Sequence, residues 1–243
     1  VSFEMAVKLL GASSINISPE TSSFTKGESI YDTVKNLQSM GIDGIILRHP
    51  HAGTPDFIAQ HLDIPVINAG DGYTEHPTQG LLDLFTMRES CGNIEGKRVM
   101  ILGDILHSRV ARSNIYALIK CGAEVTVCGP PTLIPSDIKD LGVYVSNHID
   151  QTIHLQDFIN VLRIQYERQD MAYFPSIREY RSRYALTEAR QKKLKDDVVI
   201  LHPGPINRGI EIDSVVADGS HNVILDQVTN GIAVRMAVLY LLT

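Results

Sequence analysis

The sequence predicts an α/β protein of two domains, each a mainly parallel sheet flanked by helices, with an interdomain cleft. Short aliphatic runs alternate with longer amphipathic stretches from one end of the chain to the other, which is the pattern of βαβ units. Runs such as Val99-Met100-Ile101-Leu102 are apolar without interruption, as strands covered on both faces are. A helical stretch from Thr78 ends at Cys91-Gly92, and Gly96-Lys97-Arg98 opens a fresh strand, so the boundary is expected near Gly92–Gly96. Two α/β halves joined in this way leave a cleft, where ligands commonly bind.

In chain order, strands are expected at Ser14–Ile17, Gly44–Leu47, Pro65–Asn68, Arg98–Leu102, Glu124–Val127, Val143–Val145, Phe158–Leu162, Val198–Leu201 and Asn222–Leu225. Helices are expected at Ser2–Leu10, Ile30–Met40, Pro55–Gln60, Thr78–Cys91, Val110–Lys120, Thr187–Leu194 and Gly231–Leu242. The opening Val1-Ser2-Phe3-Glu4-Met5-Ala6 reads as the middle of an amphipathic helix, so an upstream segment is expected to be missing. Arg163–Arg190 is polar and weakly periodic, and reads as a long loop or lid.

Composition narrows the function. Hydrophobic residues make up 44% and charged residues 21%, an ordinary globular balance. Net charge is -6, and the tightest basic group, Lys192, Lys193 and Lys195, is flanked by Glu188, Asp196 and Asp197. Nucleic-acid binding is therefore not expected. No apolar run approaches the ~18 residues of a membrane span, so no membrane partner is expected either. Cys91, Cys121 and Cys128 show no CxxC spacing, which implies a reducing, cytoplasmic setting and neither a disulfide framework nor a metal site.

Five segments place polar residues at the carboxyl ends of expected strands, where open α/β sheets bind ligands. They are Arg48-His49-Pro50; Gly70-Asp71-Gly72 with His76-Pro77-Thr78-Gln79; and Gly103-Asp104 with Ser108-Arg109-Val110-Ala111-Arg112-Ser113. The others are Arg163-Ile164-Gln165-Tyr166-Glu167-Arg168 and His202-Pro203-Gly204-Pro205-Ile206-Asn207-Arg208-Gly209. Together these imidazoles and guanidinium forks describe an anion site. Taken singly, each has a plainer reading. An Arg after a strand is commonly an ion-pair partner, and His76 before Pro77 suits a helix start. The G-x-G-x-x-G fingerprint is absent after Gly103, which disfavours a dinucleotide.

In this order, and together with Ser2-Phe3-Glu4-Met5-Ala6, Ser22-Ser23-Phe24-Thr25-Lys26-Gly27-Glu28-Ser29 and Asn230-Gly231-Ile232-Ala233-Val234-Arg235, these motifs resemble the carbamoyltransferases. The aspartate carbamoyltransferase catalytic chain is the most similar member. The resemblance implies a carbamoyltransferase-like fold with a carbamoyl-phosphate-binding domain at 1–91, an aspartate-binding domain at 92–230, and a helix at 231–243 packing back on the first. It implies transfer of a carbamoyl group from carbamoyl phosphate to L-aspartate in pyrimidine biosynthesis, with no cofactor and no metal. By match, His76 and Arg48 are catalytic, and Arg48, His76, Gln79, Gly204, Pro205, Ser22 and Lys26 bind carbamoyl phosphate. Arg109, Arg163, Gln165 and Arg168 bind aspartate. Ser22 and Lys26 would serve a neighbouring subunit's site, so a homotrimer is expected, with regulatory chains or a dihydroorotase as further partners.

The family places a Ser-Thr-Arg-Thr-Arg phosphate loop directly before the position of Val1, so this chain is expected to be a truncated form. Val110 stands where some relatives carry Thr, and Gly204 where others have Leu. Ornithine carbamoyltransferase is the nearest alternative. It carries His-Cys-Leu-Pro in place of His202-Pro203-Gly204-Pro205, and the Ser39-Met40-Gly41 that mimics its acceptor loop falls at a helix end. A non-catalytic paralogue is the other alternative, but it would have no use for these cations.

Overall fold

A computed structural model describes residues 1–17, 29–164 and 173–243. The chain forms two compact units: Val1–Thr78 with Gly231–Thr243, and Gln79–Asn230.

The first unit begins with α1 (Ser2–Leu9) and α2 (Ile30–Ser39). Ser29 caps α2 by accepting the Asp32 backbone N–H at 3.1 Å, and the helix stops where Gly41 takes φ 79°. The Ser-Met-Gly tripeptide thus terminates a helix. β1 (Ile45–His49), α3 (Thr54–Ala59) and β2 (Val66–Asp71) follow as a βαβ unit, with β1 parallel to β2. Val34, Ile58 and Leu62 bury one cluster against these strands. Ala6, Val7, Ile67 and Leu239 bury another.

The expected strand at Ser14–Ile17 is irregular, and Ile15 is 84% exposed. Ser14-Ile15-Asn16-Ile17 alternates polar and apolar residues with the period of a strand, but a strand exists only as a paired ladder. No described residue pairs with it.

Two long helices carry the chain across the unit division: α4 (Pro77–Cys91) and, at the end, α10 (Ile224–Leu242). The boundary expected near Gly92–Gly96 lies past the end of α4, whereas the two units divide between Thr78 and Gln79, in the first turn of that helix. Between these helices lie β3 (Arg98–Leu102), α5 (Arg109–Lys120), β4 (Glu124–Cys128), β5 (Tyr144–Ser146), α6 (Ile149–Thr152) and β6 (Phe158–Val161). They continue with α7 (Ile177–Tyr184), α8 (Glu188–Gln191), β7 (Val199–Leu201) and α9 (Ser214–Ala217). Among the described residues, the second unit's sheet has the order β5-β4-β3-β6-β7, and every pairing is parallel.

Strand alternation sorts the core. Val99 and Ile101 of β3 join Ile115, Leu118, Val125 and Val127 on one face, while Met100 and Leu102 join Ile159, Val161 and Ile200 on the other. Cys128, also on the second face, is fully buried, and burial pushes its thiol up to about 12. At the tips of β3 and β4 the backbones nearly touch. A Cβ on Gly129 would sit 2.3 Å from the Gly103 carbonyl oxygen, so only glycine fits.

Two expectations here are corrected. Asn222–Leu225 makes a single bridge to Ile200 and no strand. The Asn222 side chain accepts the Ile224 N–H at 3.3 Å and turns the chain into α10, which therefore starts seven residues before Gly231. The described part of Arg163–Arg190 is not one long loop: it holds α7 and most of α8. Ser176 accepts the Glu179 N–H at 3.1 Å, and Tyr180 and Tyr184, one turn apart, are buried beneath an Arg-rich outer face.

Arg190 secures this segment. Its buried guanidinium donates to the Ala185, Ser182 and Arg183 carbonyls at the end of α7, and to Asp150 at 2.9 Å. The Arg190 hydrogen bonds hold the Asp150 carboxyl down at about 2. Because that value lies below the unfolded 3.8, the pair stabilises the fold above about pH 4 and fades as pH falls towards 2. Arg190→Ala should lower stability by about 2–3 kcal/mol at neutral pH, chiefly through the three carbonyls it leaves without their donor. Only a small part of that deficit should fade below pH ~4, because Asp150 is half exposed and its pair is screened by solvent; urea titrations across that range check both.

Candidate active site

In the first unit, Arg48 lies exposed within β1, one residue inside the strand rather than after it. The turn that follows β2 is held by the buried Asp71. Its Oδ2 accepts the Gly53 N–H at 2.7 Å, and its Oδ1 accepts from Glu75 N at 3.0 Å and Asn68 Nδ2 at 3.2 Å. Gly72 donates its N–H to the His49 carbonyl at 2.9 Å and takes φ 44°, with Pro50 and Ala52 backbone only 3.0 Å from any added Cβ. This close approach ties the end of β1, with Arg48 and His49, to the turn that delivers His76. His76 is half-buried and stands immediately before α4, where Pro77 is the first helical residue. Asp71 was read in the sequence only as a neighbour of these groups; its role is to fix both.

In the second unit, parallel strands bring all five carboxyl ends to one edge of the sheet, and the chain reverses its winding between the adjacent strands β3 and β6. Ligands of doubly wound sheets bind at such a switch point. The turn after β3 leads into α5 through Asp104, fully buried, which accepts the His107 N–H at 3.1 Å and bonds the His107 ring at 3.0 Å. Ser108 caps α5, accepting Ala111 N–H at 3.1 Å, and Arg109, 7% exposed, is the first residue of the helix. The turn after β6 carries Arg163, half-buried. Arg109 and Arg163 thus flank the switch point.

His202-Pro203-Gly204-Pro205 follows β7. His202 is buried; its Nδ1 accepts the Gly204 N–H at 2.9 Å, so its proton resides on Nε2, 3.3 Å from Glu211 Oε1. Glu211 also accepts the Asn207 N–H at 2.6 Å, and Asn207 Nδ2 donates to the Ile164 carbonyl at 3.1 Å. The loop after β7 is thereby pinned to the residue beside Arg163, while Gly204 and Pro205 remain exposed. Arg208, by contrast, is spent on an exposed pair with Asp218 at 2.7 Å.

Gln79, on the first turn of α4 and 8% exposed, donates Nε2 to Asp83 Oδ1 at 2.9 Å. Asp83 is fully buried, and burial pushes its carboxyl up against the opposing pull of four amide donors. Asp83, Asn114, Asn160, Gln227 and Glu211 escaped the sequence reading. The available signal was a polar residue interrupting an apolar run, as in Leu81-Leu82-Asp83-Leu84-Phe85 and Phe158-Ile159-Asn160-Val161. Ser22, Lys26, Gln165 and Arg168 lie outside the described residues. Among the described residues, no cluster of three or more His, Cys, Asp or Glu could hold a metal ion, and no helix is long and apolar enough to cross a membrane.

Residues 1–89 match the family model for the carbamoyl-P binding domain of aspartate/ornithine carbamoyltransferases, and residues 95–242 match its Asp/Orn binding domain. The chain is 54% identical over 242 residues to an aspartate carbamoyltransferase catalytic subunit of Gemmatimonas aurantiaca, covering 100% of this chain and 76% of that one. A catalytic subunit of the same name from Endomicrobium trichonymphae is 58% identical over 241 residues, covering 99% and 77%. Among solved structures, aspartate transcarbamoylase of Trypanosoma cruzi in complex with N-(phosphonacetyl)-L-aspartic acid aligns with TM-score 0.86 and 29% identity, over 98% of this chain and 78% of that one. The catalytic subunit of M. jannaschii aspartate transcarbamoylase aligns with TM-score 0.83 and 34% identity, over 99% and 79%. With residues 1–89 and 95–242 matched by the two family models and relatives of 54–58% identity agreeing, the chain belongs to the aspartate carbamoyltransferase catalytic-subunit family.

Proposed function

We propose that the protein transfers the carbamoyl group of carbamoyl phosphate to the amino group of L-aspartate, forming N-carbamoyl-L-aspartate and phosphate. The observation that carries this reading is the pair of guanidinium groups, Arg109 and Arg163, at the switch point of a sheet whose relatives use that unit to bind an amino acid. Two forks suit the two carboxylates of aspartate, whereas the cationic side chain of ornithine would meet like charge.

In the reaction the neutral amine forms a C–N bond at the carbamoyl carbon, the C–O bond to phosphate breaks, and the proton lost by the amine leaves on the departing phosphate. The tetrahedral transition state carries an oxyanion, and charge grows on the departing phosphate. His76 and Arg48 donate to the carbamoyl oxygen, Arg48 also to phosphate, and fixed donors of this kind lower the barrier with no covalent intermediate. The carbamoyl NH2 offers only donors, so the Gln79 carbonyl and the backbone carbonyls at Gly204 and Pro205 receive it. Gln165 and Arg168 extend the aspartate site, and Ser22 and Lys26 complete the donor site. A cytoplasmic homotrimer sharing sites between subunits, with a place in pyrimidine synthesis, accords with this reading, as do relatives named as catalytic subunits.

The direct test is phosphate release from carbamoyl phosphate that depends on added L-aspartate; release with ornithine in its place would overturn the assignment. His76→Ala should reduce kcat by roughly a hundredfold or more while barely changing aspartate affinity, read by steady-state kinetics. Arg163→Ala should raise KM for aspartate by at least about tenfold and leave carbamoyl phosphate binding nearly intact, measured by calorimetry. An equal loss for both ligands would remove Arg163 from the acceptor site.

A further inference from the structure

A carboxylate without a cation sits at the centre of the second unit. Asp83 Oδ1 accepts from Gln79 Nε2 at 2.9 Å and Gln227 Nε2 at 2.7 Å. Its Oδ2 accepts from Asn114 Nδ2 at 2.8 Å and Asn160 Nδ2 at 3.1 Å. The four amides come from α4, α10, α5 and β6, and none brings a charge. Burying a carboxylate on amides alone is costly, and an apolar residue would suit a fully buried position better if packing were the only demand.

Two of these bonds lead onward. A side-chain amide whose nitrogen is tied down has its carbonyl oxygen on the opposite branch, so Asp83 sets Gln79 as an acceptor. Gln227, held through its nitrogen, turns its Oε1 to accept the His202 N–H at 2.8 Å. His202 in turn accepts the Gly204 N–H at 2.9 Å. One carboxylate therefore fixes the Gln79 amide directly and the Gly204-Pro205 backbone through two relays. Both are acceptors for the same group, the carbamoyl NH2.

We propose that Asp83 is a positioning residue for the carbamoyl donor, orienting the Gln79 carbonyl and the carbonyls at Gly204 and Pro205 as one acceptor set. This rests on the function proposed above and deepens it, because it assigns recognition of the carbamoyl NH2 to a group that never touches substrate. It also explains why, among the described residues, amides and no Lys or Arg bond the carboxylate. A cation would satisfy Asp83 by itself and release Gln79 and Gln227 to rotate. Asn114 and Asn160 occupy the second oxygen, which leaves the first for the two amides that lead to the site.

The test compares three variants with the unsubstituted protein. Asp83→Asn keeps the volume but replaces one acceptor oxygen by a donor facing donors. It should lower kcat/KM for carbamoyl phosphate on the order of a hundredfold while KM for aspartate shifts less than about threefold. Gln227→Met keeps length, cuts only the relay to His202, and should raise KM for carbamoyl phosphate about fivefold with the fold intact. Leu118→Ala, a core truncation on α5, serves as the control: matched in lost melting temperature, it should leave both KM values unchanged. If Asp83→Asn fails to fold, Gln227→Met alone decides. Carbamoyl phosphate kinetics that are normal in Gln227→Met, or equal shifts for both substrates in either variant, would overturn the positioning role. Absence of aspartate-dependent transfer by the unsubstituted protein would instead count against the function itself.

Discussion

Every strand of the second unit's sheet points the same way, and that single constraint organises the chemistry. Parallel strands cannot be joined by short hairpins, so each must be followed by a crossover, and each crossover begins at the same edge. The turns after β3, β6 and β7 consequently lie side by side, in the order in which those strands pair. The winding reverses between β3 and β6, and Arg109 and Arg163 follow those two strands in the chain. Gly103 and Gly129 let the backbones close up at the tips of β3 and β4, keeping the turn before α5 tight against the sheet. The cations need no loop of their own invention; the direction of the strands delivers them.

Polar groups inside this unit follow a consistent rule. Asp83, Asp104, Arg190, His202 and Glu211 are all buried, and each is bonded to backbone or amide groups that fix a turn or a helix end. Leaving any of these partners unmade would cost on the order of 1–3 kcal/mol, so the arrangement is rigid where the site requires it to be. Asp71 does the same for the first unit, joining three separate donors around the turn before His76. The turns that carry His76, Arg109 and Arg163 are thus ordered from behind.

Legibility in the sequence tracked the physical basis of each feature. Val99–Leu102 was readable because a strand covered on both faces must be apolar throughout, and its pairing confirms that placement. The placement of Arg109, Arg163 and His202 after β3, β6 and β7 was readable because each follows an apolar run that forms a strand. Ser14–Ile17 misled because alternation reports period and not the presence of a partner strand. Asn222–Leu225 misled because one bridge and a side-chain turn imitate a strand's opening residues. The helix at Ile177–Tyr184 was hidden by its arginines, although Ser176 and Glu179 spell a capping box. Asp83 was invisible as a role, since a lone acid on a helix shows nothing about four amides drawn from distant segments.

Cys128 remains a neutral thiol across the physiological range because burial holds it near 12, while Cys121 is exposed at the C-terminal end of α5. Thiolate-directed reagents therefore have a chemically silent sulfur in the core and an accessible one on the surface. The accessible one terminates the same helix that Arg109 begins, twelve residues or roughly 18 Å away. A dye attached there would sit at the far end of a rigid rod from Arg109, reporting on movements of that helix without a label beside the guanidinium.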